Sequence, residues 1–327
     1  MPSPDLHRPD LFAQLLQGNR RALARTITLL ESRKPEHQEQ ARALLQQLLP
    51  YTGKALRIGI SGTPGAGKST FIEAFGLHLI QQNLKVAVLT IDPSSGVSGG
   101  SILADKTRME KLSSRPEAFI RPSPSAGVLG GVALHTREVM LACEAAGFEV
   151  ILIETVGVGQ SETLVSSLTD VFLMLTLPNA GDDLQAVKRG ILELVDLVLI
   201  NKTDLLPEKA NLTQVQLESA FRLQKTAAKV LQISALQGKG IAQVWEHLKL
   251  WREKHAADLL HKRQDQQAAW FEEHLKQLVW LHFQAQVNPQ KREALRQQAR
   301  TGTMDPLNAA HLLLEDTHGE KHFPEDH

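Results

Sequence analysis

The sequence is short of cysteine, of net charge and of long hydrophobic runs. Cys143 is the one cysteine among 327 residues, which excludes a disulfide framework within one chain and a CxxC metal or redox site. Because 36 Lys and Arg residues balance 36 Asp and Glu residues, the chain does not have the basic excess that a general nucleic-acid-coating protein needs. The longest apolar runs, such as residues 150–153 and 171–175, are far too short to span a bilayer.

The composition that remains is typical of a globular protein. Hydrophobic residues make up 42% of the chain and charged residues 22%, a balance that supports a packed core. The amino-terminal segment MPSPDLHRPD is polar and carries acidic residues, unlike a signal or transit peptide. We therefore expect a soluble, cytoplasmic protein that acts neither on nucleic acid nor in a membrane.

Three regions follow one another along the chain. In residues 1–50, apolar side chains recur at helical spacing, which predicts helices with interruptions at Gly18 and Pro35. From residue 55, short runs rich in Val, Ile and Leu alternate with helix-length amphipathic segments, which is typical of an α/β fold with a doubly wound, mostly parallel sheet. The predicted strands are residues 56–61, 86–91, 150–154, 171–177, 197–201 and 230–234.

The carboxy-terminal region returns to helical spacing and contains all four tryptophans, at positions 245, 251, 270 and 280. Aromatic residues on helices outside the main sheet could form a subunit interface, although packing against the α/β domain explains them equally well. We expect a helical extension at residues 1–53, the α/β domain at 54–255, and a helical dimerisation region at 256–327.

Residues 62–69 match the phosphate-binding pattern GxxxxGK[ST] without a mismatch. The match follows the apolar run LRIGIS and opens a helix-like segment, which is the setting that the pattern requires. Its glycines let backbone N–H groups surround a phosphate, Lys68 can reach the β- and γ-phosphates, and the Ser69 hydroxyl can ligate Mg²⁺. We predict that a nucleoside triphosphate is bound by Gly62, Thr63, Pro64, Gly65, Ala66, Gly67, Lys68 and Ser69.

The motif NKTD at residues 201–204 follows the apolar run LVLI and predicts guanine as the base. Guanine presents two adjacent donors, N1–H and its amino group, and the carboxylate of Asp204 can accept from both. Adenine would leave that carboxylate unpaired, at a cost of roughly several kcal/mol. The alternative, in which Asp204 only caps a helix, leaves the order of the motifs unexplained. Further contacts to the base and its loop are expected from Asn201, Lys202, Ser234 and Ala235.

Three carboxylates follow strand-like runs or lie in the loops between them. Glu154 ends the run VILI in the segment ETVGVGQSE, where the Gly157 N–H can meet the γ-phosphate; Asp92 ends the run KVAVLTI; Asp105 lies in GGSILADKTRM. Acids at such a site support Mg²⁺, often through water, and orient the attacking water. The alternatives are that Glu154 and Asp92 merely end strands and that Asp105 is a solvated helix residue. We predict catalytic roles for Lys68, Asp92 and Glu154, and Mg²⁺ ligands at Ser69, Asp92, Asp105 and Glu154.

Together, the segments GTPGAGKST, TIDPSS, GGSILADKTRM, ETVGVGQSE, GDDLQ and NKTD resemble the methylmalonyl-CoA mutase-associated GTPases, the bacterial MeaB/ArgK group related to the human methylmalonic aciduria type A protein. The resemblance extends from about residue 10 to the carboxy terminus. It implies a SIMIBI-class P-loop GTPase that works with Mg²⁺ as a homodimer and acts as a chaperone of adenosylcobalamin-dependent methylmalonyl-CoA mutase. By position, it adds Thr70 to the phosphate site and implies a partner switch at Asp182, Asp183, Gln185 and Lys188; from the residues alone, that loop is only a polar helix start.

The predicted reaction is in-line attack of water on GTP, with Asp92 as the best candidate to position the water. No arginine is obviously placed as a finger, although Arg108 follows the switch acids, so we expect slow intrinsic hydrolysis that a partner accelerates. One alternative is an ATP- or GTP-dependent kinase of amino-acid transport proteins, which the guanine motif opposes. Another is a nickel-type metallochaperone, but the tail histidines are irregularly spaced with no cysteine nearby. Those histidines are His311, His318, His322 and His327.

Overall fold

The computed structural model describes residues 10–32, 34–91, 109–123, 129–155, 161–178, 193–224 and 226–318. The chain forms two compact units, Met1–Gln266 and Gln267–His327. The first unit contains a β-sheet and the helices that cover it, and the second unit is helical.

The sheet of the first unit consists of β1 (Leu56–Gly62), β2 (Val86–Ile91), β3 (Ala118–Ser123), β4 (Val150–Thr155), β5 (Val171–Thr176), β6 (Leu197–Ile200) and β7 (Lys229–Gln232). All seven strands are parallel, in the order β3-β2-β4-β1-β5-β6-β7. Strands β1, β2, β4, β5 and β6 are buried at every residue, which explains why their sequences are continuously apolar. The predicted doubly wound α/β fold is confirmed.

Strand β3 was not among the six strands that the sequence predicts. Its sequence AFIRPS includes Arg121 and Pro122, which break the apolar run that marks the other strands. A proline is tolerated because β3 is the outermost strand of the sheet. Arg121 pairs with Glu31 at 2.6 Å, so a long-range contact stabilises a strand that no local pattern indicates.

The helices of the first unit are α1 (Leu11–Leu16), α2 (Arg20–Leu30), α3 (Pro35–Leu48), a 3₁₀ turn (Leu49–Tyr51), α4 (Lys68–Gln81), α5 (Glu110–Ser113), α6 (Leu129–Ala145), α7 (Ser161–Leu168), α8 (Pro207–Gln224), α9 (Ile241–Lys254) and the first part of α10 (Ala256–Gln286). The predicted interruptions of the amino-terminal helices are confirmed. Gly18, at φ +74°, separates α1 from α2, and Pro35 is the first residue of α3. Asn19 caps α2 by accepting from two backbone N–H groups.

Helices cover both faces of β1, the central strand that leads into the phosphate loop. On one face, Ile58 and Ile60 belong to the same buried cluster as Phe71 and Phe75 of α4. On the other face, a Cβ at Gly59 would lie 2.7 Å from a methyl group of Val165 in α7, so only glycine allows this close approach. Both faces are therefore packed, and β1 is held in a fixed position between α4 and α7.

The second unit contains the rest of α10, then α11 (Pro289–Thr301) and α12 (Pro306–His318). Asn288 caps α11. The Trp280 ring stacks on Phe283 at 5.6 Å, and the Arg292 guanidinium lies 5.7 Å from the centre of the Trp280 ring. In neither unit does the described part of the chain include a helix that is long and apolar enough to cross a membrane.

Candidate nucleotide site

The phosphate loop connects the carboxyl end of β1 to the start of α4. Its backbone requires glycine at two positions: Gly62 has φ +151° and a Cβ there would lie 2.3 Å from the Leu175 carbonyl oxygen, while Gly67 has φ +88° and a Cβ there would lie 2.5 Å from the Asn201 amide. Gly67 is also the amino-terminal cap of α4. The loop thus ends at a helix amino terminus, where N–H groups and the helix dipole favour a bound anion.

Lys68 is the first residue of α4, and its ammonium group points back along the loop. Nζ donates a hydrogen bond to the Gly62 carbonyl at 2.7 Å. Burial lowers the pKa of Lys68 from its ordinary value, while the nearby charges of Glu154 and Glu162 oppose that shift. The lysine is therefore a partly desolvated cation next to the loop, as binding of the β- and γ-phosphates requires.

Ser69 and Glu154 lie together beside the phosphate loop. The Ser69 hydroxyl is 3.4 Å from a carboxylate oxygen of Glu154, which is buried near the carboxyl end of β4. A hydroxyl and a carboxylate are the oxygen donors that Mg²⁺ prefers, and Mg²⁺ at a nucleotide site takes its other ligands from phosphates and water. The pair therefore fits a magnesium ion, although the described residues contain no group of three or more His, Cys, Asp or Glu side chains that could hold a metal by themselves.

Asn201 links the phosphate loop to the loop that follows β7. Its side-chain amide donates to the Ala66 carbonyl at 2.8 Å, and its side-chain oxygen accepts from the Ala235 N–H at 3.0 Å. Asn201 is buried, so both hydrogen bonds are protected from water. One side chain thus fixes the spacing between the segment predicted to bind phosphate and the segment predicted to contact guanine.

A cavity of about 260 Å³ opens between these loops and contains the predicted base-recognition residue Asp204. Leu205 and Leu236 also line it, and both are largely exposed, so apolar side chains flank the space. A flat base fits such a site, because its edge needs polar partners and its faces need apolar contacts. The remaining predicted residues at this cavity are Gly67, Thr70, Asn201, Lys202 and Ser234.

Glu162 is a second acidic residue near Lys68, and no pattern in the sequence assigns it a role. It lies in the first turn of α7, and only 1% of its surface is exposed. An acidic residue in the first turn of a helix is common because it complements the helix dipole, so its position alone does not distinguish it. The structural signal is burial of the carboxylate together with its electrostatic effect on Lys68.

Several predicted site residues lie outside the described residues. Cys143 is buried, and burial raises the pKa of its thiol, in agreement with the expectation of a small buried residue rather than a nucleophile. Arg108, His322 and His327 also lie outside the described residues. The predicted site residues that lie outside the described residues are Asp92, Asp105, Gly157, Asp182, Asp183, Gln185 and Lys188.

Residues 23–288 match the family model described as "Methylmalonyl Co-A mutase-associated GTPase MeaB". A putative GTPase of Caulobacter vibrioides is 52% identical over 82% of this chain and 84% of its own. The GTPase ArgK of Escherichia coli is 46% identical, over 83% and 84% of the two chains. The mitochondrial methylmalonic aciduria type A homolog of Mus musculus is 43% identical, over 93% and 78%.

Among solved structures, the crystal structure of an LAO/AO transport system kinase is similar to this chain over nearly its whole length. It has a TM-score of 0.73 and 35% sequence identity, and the similarity covers 96% of this chain and 99% of that one. The similarity thus includes the segments that carry the nucleotide site.

Proposed function

Because the chain belongs to the family of methylmalonyl Co-A mutase-associated GTPases, we propose that its hydrolysis of GTP gates adenosylcobalamin loading of methylmalonyl-CoA mutase or protects that enzyme from inactivation. The name of the family model and the mouse relative, a methylmalonic aciduria type A homolog, support this partner. Nucleotide binding is supported chiefly by the two hydrogen bonds of the Asn201 side chain, to Ala66 of the phosphate loop and to Ala235. Asn201 and Asp204 line the same cavity, so the phosphate loop and the proposed base site lie together.

In the proposed reaction, the phosphates lie against the backbone of residues 62–70, and Lys68 neutralises their developing charge. Nζ would exchange its hydrogen bond to the Gly62 carbonyl for phosphate oxygens. Ser69 and Glu154 would hold Mg²⁺, which would help to neutralise the negative charge of the phosphates. Asp92 remains our candidate for positioning the attacking water, Asp105 for a further metal ligand, and Gly157 for a γ-phosphate contact.

Base selection would depend on Asp204, whose carboxylate would accept from N1–H and the amino group of guanine. Asp204→Asn replaces one acceptor with a donor, so GTP affinity should fall about a hundredfold while affinity for XTP, which carries an oxygen in place of that amino group, should rise. The measurement is competition against a fluorescent GDP analogue. GTP and XTP affinities that the substitution leaves unchanged would show that another group reads the base.

The mutase proposal is tested by the GTP hydrolysis rate of the purified protein, alone and with methylmalonyl-CoA mutase. We expect slow turnover that increases when the mutase is added, because no arginine finger is evident in the sequence. Four single substitutions test the proposed switch: Asp182→Ala, Asp183→Ala, Gln185→Ala and Lys188→Ala. Each should reduce the stimulation by the mutase and leave the basal rate of GTP hydrolysis unchanged. A rate that does not respond to the mutase would refute the proposed partner and leave the GTPase assignment intact.

A second candidate function comes from the similar structure, which is described as a transport system kinase. A kinase must transfer the γ-phosphoryl group to a protein hydroxyl instead of to water. Incubation with γ-labelled ATP or GTP and a periplasmic amino-acid-binding protein separates the two reactions. Label on the binding protein, with ATP preferred and Asp204→Asn without effect, would favour the kinase.

We also propose a homodimer formed through the second unit. Phe271, Leu275 and Leu278 of α10 stand at i, i+4 and i+7, and they are 63%, 44% and 59% exposed. Contiguous exposed apolar side chains on one helix face mark interaction surfaces. Light scattering during size-exclusion chromatography should give twice the mass of one chain, and Leu278→Glu should give the monomer mass. A monomer at all concentrations of the native protein would exclude this interface.

A further inference from the structure

A second cavity, of about 940 Å³, lies at the amino ends of β1 and β4. Leu56 and Val150, which are partners at the start of the two strands, both line it. The phosphate loop leaves β1 at the opposite edge of the sheet, about 20 Å away along the strand. This basal cavity is therefore separate from the nucleotide site, and its volume is in the range of pockets that bind small molecules.

One face of α9 brings an aromatic ring and two cations to the wall of the basal cavity. Trp245, Lys249 and Arg252 all line it, and they stand at i, i+4 and i+7, the spacing of a single helix face. Trp245 is buried and Arg252 is exposed, so the apolar surface is deep and the charges are near the opening. Lys249 contacts Glu246 at 2.7 Å in an exposed pair, which a ligand can replace at little cost.

The buried acid of the cavity does not cancel these charges. Glu144 lines the cavity, but its carboxylate is already bound by Arg57, whose Nε donates at 2.7 Å. The same carboxylate accepts from the backbone N–H groups of Gly53 and Lys54. Glu144 is thus neutralised by Arg57 within the protein, as a buried carboxylate must be.

The lining that remains has a small excess of positive charge. Lys54, Lys249 and Arg252 line the cavity together with Glu149 and Glu253, and Glu246, the exposed partner of Lys249, lies outside the lining. Arg252 donates through Nη2 to the Lys54 carbonyl at 2.8 Å, so the segment that carries Lys54 is held next to the cationic face of α9. A guanidinium beside an ammonium is a suitable site for a carboxylate or phosphate group.

We propose that the basal cavity binds a small organic anion. The aromatic or acyl body of the ligand would pack against Trp245 and Phe148, which are both buried and line the cavity. Its anionic group would be held at the opening by Lys249 and Arg252. This binding does not depend on the proposed partner of the GTPase, because it uses residues at the opposite edge of the sheet.

The test is calorimetric titration of the full chain saturated with GDP and Mg²⁺, so that the nucleotide site is filled. The probes are 1-naphthoate, 1-naphthyl phosphate and the neutral 1-naphthamide. Both anions should bind once per chain, and the amide at least about tenfold more weakly, because charge-assisted hydrogen bonds contribute at least that factor. The stronger of the two anions identifies the preferred head group.

Two variants and one control localise the binding. Lys249→Gln combined with Arg252→Gln should weaken anion binding at least about tenfold, while glutamine at 252 can still donate to the Lys54 carbonyl. Ala256→Trp, at a residue that lines the cavity and is exposed, should block binding by filling the space. Lys254→Gln, on the same helix but outside the cavity lining, should have no effect.

Three results would overturn the proposal: no binding of either anion at millimolar concentration, equal affinity for the anions and the amide, or unchanged anion affinity in the double variant. Circular dichroism of each variant verifies that loss of binding is not loss of fold. Because the nucleotide site is occupied throughout, a negative result here leaves the proposed GTPase mechanism unaffected.

Discussion

Replacing Arg263 with methionine should destabilise the protein by about 3 kcal/mol, because the Asp170 carboxylate would be left buried without its cation. Arg263 of α10 approaches the two oxygens of Asp170 at 2.8 and 2.6 Å and donates to the Ala55 carbonyl at 2.7 Å. Burial alone would lower the pKa of Arg263, but the hydrogen bonds and charge of Asp170 raise it overall. The pair therefore stabilises both charges inside the first unit.

The magnitude follows from how far each partner is buried. Removal of one member of a buried ion pair costs about 3–5 kcal/mol. We expect the lower value, because the Arg263 side chain is 18% exposed and water can reach the vacated space. The Arg57 N–H, at 2.8 Å, would also still donate to Asp170. At about 2–4 °C per kcal/mol for a unit of this size, the melting temperature should fall by about 6–12 °C.

Urea unfolding and thermal melting of the full chain measure this change. Arg252→Met is the matched control, since Arg252 also donates to a backbone carbonyl but is exposed, and it should cost less than about 1 kcal/mol. The double variant Asp170→Asn with Arg263→Met should recover part of the loss, because position 170 then no longer carries a buried, unpaired charge. If Arg263→Met is as stable as Arg252→Met, the reasoning about the buried pair is refuted.

Two further predictions concern the nucleotide site. Asn201→Ala should cost about 3 kcal/mol in urea unfolding without nucleotide, because the Ala66 carbonyl and the Ala235 N–H would stay buried without their partner; equal stability of variant and native protein would exclude this linking role. Glu162→Gln should move the alkaline loss of GDP binding to lower pH, since Glu162 raises the pKa of Lys68 and the uncharged lysine, formed as pH rises, binds phosphate poorly. Fluorescent GDP titrations from pH 7 to 10 measure the midpoint, and an identical midpoint in both proteins would contradict this interaction.

The features that could be predicted from the sequence are those encoded in contiguous residues. The phosphate loop needs glycine where the backbone adopts φ values that other residues avoid, as at Gly62 and Gly67. The local sequence is therefore enough to predict a phosphate-binding loop. The buried strands can be predicted in the same way, because a strand covered on both faces is apolar along most of its length. Strands β1 and β4, which are buried at every residue, have such sequences.

The features that could not be predicted depend on residues far apart in the chain. Asn201 was expected to brace its own loop, but its amide bonds to Ala66, 135 residues away. Arg263 and Asp170 are separated by 93 residues, and each by itself looks like an ordinary surface charge. Glu162 was overlooked for a similar reason, since its burial is a property of the packed helix and not of its neighbours in sequence.

The two edges of the sheet therefore have different physical requirements. At the amino ends of the strands, Asp170 and Glu144 hold the start of β1: Asp170 accepts from the Arg57 N–H, and Glu144 accepts from the Arg57 side chain and the Lys54 N–H. At the carboxyl ends, Lys68 and Glu154 lie beside a loop that ends at the amino terminus of α4, where backbone N–H groups favour an anion. Because β1 is hydrogen-bonded to β4 and β5 along its length, loss of a charge at the base should reduce stability without moving the phosphate loop. Arg263→Met should accordingly leave GDP affinity unchanged while it lowers the melting temperature.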